Sequence, residues 1–196
     1  GWHGSESEFE YTTIERLKAL GYAHVHGSEL LTARGGDEAE VVLRDHLRAF
    51  LRGRYGRTVT RPDGLPEAAI EAAVAKFARP EGVDTLRRNA ALHAMLRGGV
   101  EIAVEEPATK TTPANKRITH IYAVDWDTPE NNEFLVVNQL PVHGPNGNDR
   151  RPDVIVYVNG LPLVLFELKN PYDDQPTVAD AINQIGHYRH EIPQLF

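Results

Sequence analysis

Residues 151–170, RPDVIVYVNGLPLVLFELKN, decide how the rest of the chain is understood. Two runs rich in Val, Ile and Leu flank Asn159-Gly160, a dipeptide that accepts the positive φ angles of a tight hairpin turn. The stretch therefore predicts two paired strands. Charges inside such apolar strands need a reason, yet Asp153 opens the first, and Glu167 and Lys169 stand near the end of the second.

Side chains alternate along a strand, so Glu167 and Lys169 project from one face and Leu168 from the other. Whether Asp153 joins them depends on register, because a slip of one residue reverses every side chain. A turn of Asn159 and Gly160 alone sets Asp153 opposite Phe166 and points the two acids apart. A three-residue loop including Leu161, or an equivalent bulge, sets Asp153 opposite Glu167, and that arrangement is expected. Two carboxylates on neighbouring strands repel unless protonated or bridged by a cation. Their oxygens suit Mg2+, with Mn2+ as a substitute, and a nearby lysine can orient a water; this is the chemistry of phosphodiester hydrolysis. A lone E-x-K is more often a structural ion pair beside a strand-initiating Asp; the apolar run around it reverses that preference in favour of the metal site.

Pro152-Asp153 followed by Glu167-Leu168-Lys169 resembles the PD-(D/E)xK nuclease motif, and LPLVLFELKNP resembles the nuclease domain of type I restriction enzyme R (motor) subunits. The resemblance implies an α/β restriction-endonuclease-like core with a mixed central sheet flanked by helices. It also implies metal binding by Asp153 and Glu167, catalysis by Lys169, and a downstream Gln-x-x-x-Tyr element matched by Gln184 and Tyr188. The activity implied is endonucleolytic cleavage of double-stranded DNA, ATP-dependent in the full enzyme and directed by methyltransferase and specificity subunits. A repair or recombination exonuclease of the same superfamily, or a nuclease fold that binds DNA without turnover, remains an alternative.

A length of 196 residues suits one domain, expected here as a single endonuclease domain over 1–196. The absence of Cys excludes disulfides and thiolate metal sites and suits a cytoplasmic protein. No apolar run approaches a membrane span, so the chain is expected to be soluble. A formal charge of −7 argues against a uniformly basic nucleic-acid coat. The ending EIPQLF, apolar directly after a helical pattern, suggests a fragment of a longer chain. The resemblance places a helicase motor next, and no G-x-x-x-x-G-K-[ST] occurs here, so ATP would bind only in the full-length protein.

Ser5 or Ser7 is expected to cap a helix reaching about Leu20 and ended by Gly21, with Phe9, Thr13, Ile14, Leu17 and Leu20 on its apolar face. Glu6 and Glu10 share that face, where an acid is expensive unless paired or metal-bound. The resemblance implies that an acid of this helix faces the active site, and Glu10 is the better candidate; an acid favoured by the helix macrodipole is the alternative. His24 and His26, two apart in a short strand, have metal-ligand spacing but no third ligand, and surface histidine is the simpler account.

A second helix is expected from Asp37 or Glu38 to about Leu51. Its Arg44, Arg48 and Arg52 form a stripe, continued by Arg54, Arg57 and Arg61, that could grip DNA phosphates or be a solvated face. Helices are expected over Glu67–Ala78 and Val83–Leu96, then strands over Val100–Val104, Arg117–Trp126 and Glu133–Val142. Arg150 and Arg151 adjoin Asp153, where Arg151 could contact a phosphate or pair with that acid. Thr177 and Asp180 suggest a cap for a last helix whose Val178, Ile182 and Ile185 pack towards the sheet.

Overall fold

The computed structural model describes residues 6–83, 85–144 and 147–168, and beyond them only the helical positions 179, 182, 183 and 185–187. The decisive hairpin forms as β7 (Val154–Val158) and β8 (Leu161–Phe166). Asn159 (φ 49°) and Gly160 (φ 83°) make a two-residue turn with both central residues left-handed, which matches the twist of the flanking strands. Buried Asn159 also locks the neighbouring strand: its Oδ1 accepts from Glu133 N at 2.7 Å, and its N donates to Glu133 O at 2.9 Å.

Two compact units make up the chain, Gly1–Asp45 with Glu133–Phe196, and His46–Asn132. In the first, β1 (Ala23–His26) runs parallel to β4 (Phe134–Asn138), and β4, β7 and β8 follow antiparallel, giving a four-stranded mixed sheet in the order β1-β4-β7-β8. The strand β7, VIVYV, is apolar at every position because both of its faces are covered. On one face α1 (Glu6–Ala19) packs Ile14 and Leu17 against Val136, Val154, Phe166 and Leu168. On the other face Leu135, Val137, Ile155 and Tyr157 meet Leu30, Val41 and Leu43.

The helix α1 ends as expected at Gly21 (φ 96°): Gly21 N donates to Lys18 O at 2.9 Å and Tyr22 N to Leu17 O at 3.1 Å, which satisfies the last carbonyls. Leu20, expected on the apolar face, sits at this turn and is 76% exposed. The second helix is shorter than expected. Residues 37–43 are irregular, because Asp37 Oδ1 accepts from Ala39 N at 2.8 Å and Glu40 Oε1 from Val42 N at 3.1 Å, local bonds that compete with a helix. This segment buries Val41, Val42 and Leu43, and Tyr157 donates to Val41 O at 2.8 Å. The helix α2 begins only at Arg44 and runs to Tyr55.

In the second unit α3 (Glu67–Ala78) buries Ala69, Ile70, Ala73, Val74 and Phe77 and packs on β2 (Val100–Glu106), whose buried and exposed residues alternate. The helix α4 spans Thr85–Gly98. The strand β2 pairs with β3 (Asn115–Ile121) in a two-stranded antiparallel sheet of its own, a correction to the expectation of one central sheet. The expected strand to Trp126 stops at Ile121, and buried Asp125 gathers Thr128 N at 3.1 Å, Asn131 Nδ2 at 2.9 Å and the Arg54 guanidinium into a turn. The expected strand over Glu133–Val142 breaks at Gln139 (φ 52°); beyond it a short β5 (Val142–His143) pairs with β6 (Asp149–Arg150). Among the described residues no helix is long and apolar enough to cross a membrane.

Candidate active site

Register is the first requirement of the site, and a bulge supplies it. The pairs Val158–Leu161 and Tyr157–Pro162 follow the tight turn, but Val156 faces Val164, so Leu163 is an extra residue in β8. Continued one step beyond the Val154–Phe166 pair, this register sets Asp153 across from Glu167. Without the bulge, Asp153 would face Phe166. Phe166 and Leu168 pack on the α1 face and Leu165 on the opposite one, so the alternation assigns Glu167 to the face of Leu165. Asp153 Oδ2 accepts from Leu168 N at 2.8 Å, which ties the two strand ends together. Glu167 is half-buried and its Oε2 is withdrawn from solvent.

Glu10 lies one turn before Ile14 on α1, and its side chain reaches the same end of the sheet. Its Oε1 accepts from Asn138 Nδ2 at 2.6 Å and its Oε2 from Gln139 Nε2 at 2.7 Å. The same Gln139 nitrogen stands 3.4 Å from Asp153 Oδ1, so the amide relays Glu10 to Asp153. His24 Nε2 lies 2.9 Å from Asn138 Oδ1, which orients that amide with its NH2 towards Glu10. His24 thus belongs to a polar chain at this site. Asn138 and Gln139 lie within a stretch expected only as strand, with no site role read from the sequence. A left-handed glutamine leaves no mark in a sequence; the pattern of apolar residues ending in two consecutive amides was the signal present.

Among the described residues no three His, Asp or Glu side chains gather as a metal-ligand group. The donor chemistry still suits a hard cation: Asp153, Glu167 and Glu10 offer carboxylate oxygens, and Mg2+ is commonly held by one or two carboxylates with water and phosphate completing its shell. Lys169, Gln184 and Tyr188 lie outside the described residues, as do Thr177, Val178 and Asp180. Ile182 is 62% exposed, contrary to its expected packing on the sheet.

The arginine stripe is engaged throughout. Arg44 holds Glu40 at 2.8 Å through Nε, Arg48 pairs with Glu71, Arg52 holds Glu67 at 2.9 Å, and Arg57 holds Glu106 at 2.8 Å. Arg48 beside Glu71 holds that carboxyl below its usual range. Arg151 is exposed and forms no ion pair among the described residues.

The model for the type I restriction enzyme R protein N terminus matches residues 5–196. The chain belongs to this family. Proteins similar to it include the type I restriction enzyme HindI endonuclease subunit of Haemophilus influenzae, 34% identical over 98% of this chain and 17% of that protein. The putative type I restriction enzyme MjaIXP endonuclease subunit of Methanocaldococcus jannaschii is 33% identical over 95% of this chain and 17% of its own length. The EcoprrI endonuclease subunit of Escherichia coli is 39% identical over 38% of the chain and 22% of that protein. The chain thus spans 17% of the length of the first two relatives.

Proposed function

We propose that this chain is the nuclease module of a type I restriction enzyme, with a PD-(D/E)xK core that hydrolyses phosphodiester bonds of double-stranded DNA endonucleolytically. In the full-length protein the reaction is ATP-dependent, and methyltransferase and specificity subunits complete a cytoplasmic complex. The observation that carries this reading is the bulge at Leu163, which spends one residue of β8 and shifts the register so that, continued one step past Val154–Phe166, Asp153 falls across from Glu167.

Asp153, Glu167 and Glu10 would hold Mg2+, with Mn2+ as a substitute. An ion held there would supply Lewis-acid polarisation of the phosphodiester and a lowered pKa for an attacking water. Asp153 is fixed for this by the Leu168 N–H, and Glu10 by two amide donors. Lys169, two residues after Glu167, orients the water or offsets charge developing on the phosphate, and Gln184 and Tyr188 position the substrate. Exposed Arg151, two residues before Asp153, offers a phosphate contact.

In the complete assembly acting on circular plasmid, Asp153→Ala or Lys169→Ala should lower cleavage by about 10²-fold or more. Retained cleavage in both variants would sink the assignment. Degradation of linear but not circular DNA would indicate an exonuclease, and a chain that takes up no Mn2+ by calorimetry would be a binding module.

A further inference from the structure

We propose that Gln139 is a positioning residue that braces the acid site when no cation is present. Its side-chain amide bridges Glu10 and Asp153 and yields when a divalent ion takes over their charge. The inference rests on the metal-site reading above and goes beyond it in naming what holds the acids in the ion's absence.

Three observations converge on this residue. Its Nε2 is 2.7 Å from Glu10 Oε2 and 3.4 Å from Asp153 Oδ1. Between acceptor-only carboxylates, the NH2 end of the amide is the group that satisfies both. The backbone of Gln139 is left-handed at φ 52°, a conformation that side chains other than Gly, Asn and Asp seldom adopt, and one that persists only where its surroundings impose it. The imposition is visible at Gly27, where an added Cβ would lie 2.3 Å from Leu140 Cα and 2.8 Å from Gln139 O, so the backbone at 27 is pressed against residues 139 and 140. Gln139 N donates to Asp153 O at 3.1 Å, which anchors the turned residue to the strand whose acid it contacts.

A neutral amide between Glu10 and Asp153 suits what the site must later do. A lysine or arginine between the acids would neutralise them permanently and compete with a divalent ion through its full charge. A neutral amide offers two N–H dipoles, enough to relieve part of the repulsion, and is a weaker competitor for the same oxygens. Asn138, held by His24, supplies a second amide to the far oxygen of Glu10, so that acid keeps a partner when Gln139 moves.

The test is the melting temperature of the 196-residue chain in EDTA and with added Mn2+, for the unaltered sequence, Gln139→Gly and Gln139→Met. Glycine removes the amide and relaxes the left-handed φ; methionine removes the donor at similar reach and keeps the backbone cost. In EDTA the methionine variant should melt lower, by about 3 °C, the glycine variant by less because the relaxed φ offsets part of the loss, and both should gain more than the unaltered chain on adding Mn2+, because the ion then relieves a larger repulsion. Loss of stability in the glycine variant alone would trace the effect to backbone entropy and overturn the inference. So would variants with unchanged EDTA stability and an unchanged Mn2+ gain, leaving the metal reading intact. Destabilised variants without a Mn2+ response in any chain would instead overturn the metal reading and this inference with it.

Discussion

Glu10 and Asp153 meet at the end of the sheet with a neutral amide between them, whereas Arg44, Arg48 and Arg52 each lie against a carboxylate of their own. The contrast extends to net charge. The unit holding the acids carries 8 basic and 17 acidic residues, and the unit His46–Asn132 carries 13 and 11, together the −7 of the whole chain. A guanidinium already matched to a carboxylate has little left to offer a ligand at distance. Glu10 is held instead by two neutral amides, which satisfy its oxygens without cancelling its charge. Both groups of charge invite a functional reading from sequence, and the way each is neutralised separates them.

The largest expected effect falls on the acid end. Gly27→Ala places a methyl carbon 2.3 Å from backbone, where no flexible side-chain tip can yield. Urea denaturation should show a loss of about 3 kcal/mol, and because residues 139 and 140 must shift, Mn2+ uptake by calorimetry should weaken too. Stability within about 0.5 kcal/mol of the parent would show that the approach is not tight. Buried Arg34 forms a third kind of charge, a cation held by carbonyls: its Nη1 donates to Pro141 O at 2.7 Å and Glu38 O at 3.1 Å. Burial lowers its pKa, with partial compensation from nearby Tyr157 and the acids at 37, 38 and 40. Arg34→Met leaves those acceptors without their donor and should cost about 2 kcal/mol. A neutral outcome would mean that water takes over.

The arginine stripe should respond far less. Arg48→Ala removes a partly exposed ion pair and should cost under about 1 kcal/mol. Replacing Arg44, Arg48 and Arg52 together by Gln should leave the salt dependence of DNA binding unmoved. A slope reduced by about one per contact would show instead that the stripe leaves its acids to grip phosphates.

How far the sequence carried this picture depends on the scale of the determinant. Asn159-Gly160, the apolar run of β7, Gly21 and the span of α3 are local signals, and each formed where expected. The need for a bulge was legible because two acids had to meet; its position at Leu163 was not, since Pro162, Leu163 and Val164 are equally apolar. Helix periodicity overran residues 37–43 because side-chain bonds of Asp37 and Glu40 compete with it locally. The roles of Gln139 and Asn138 came from contacts spanning more than a hundred positions to Glu10, information that no window of sequence contains.

The smallest effect concerns His143, which bridges the two situations: an exposed cation-to-be facing two acids, on the loop that leads to Asp153. Its Nδ1 contacts Asp149 and its Nε2 lies 3.1 Å from Glu38. Asp149 is the main cause of a raised pKa, Glu38 adds to it, and Arg34 opposes it. A raised folded-state value means that the bridge contributes fully below the ordinary histidine pKa of about 6.5, and is lost as pH rises through the higher folded value. Below the carboxylate range it is lost again, as the acids take up protons. Thermal unfolding of the chain and of His143→Asn should therefore differ most between those limits and converge at alkaline pH. The imidazole should titrate above its ordinary value by NMR and fall towards it in Asp149→Asn, with Glu38 retaining part of the rise. An unshifted titration in the parent would show that the ion pair does not link β5 to β6 beside their backbone pairing.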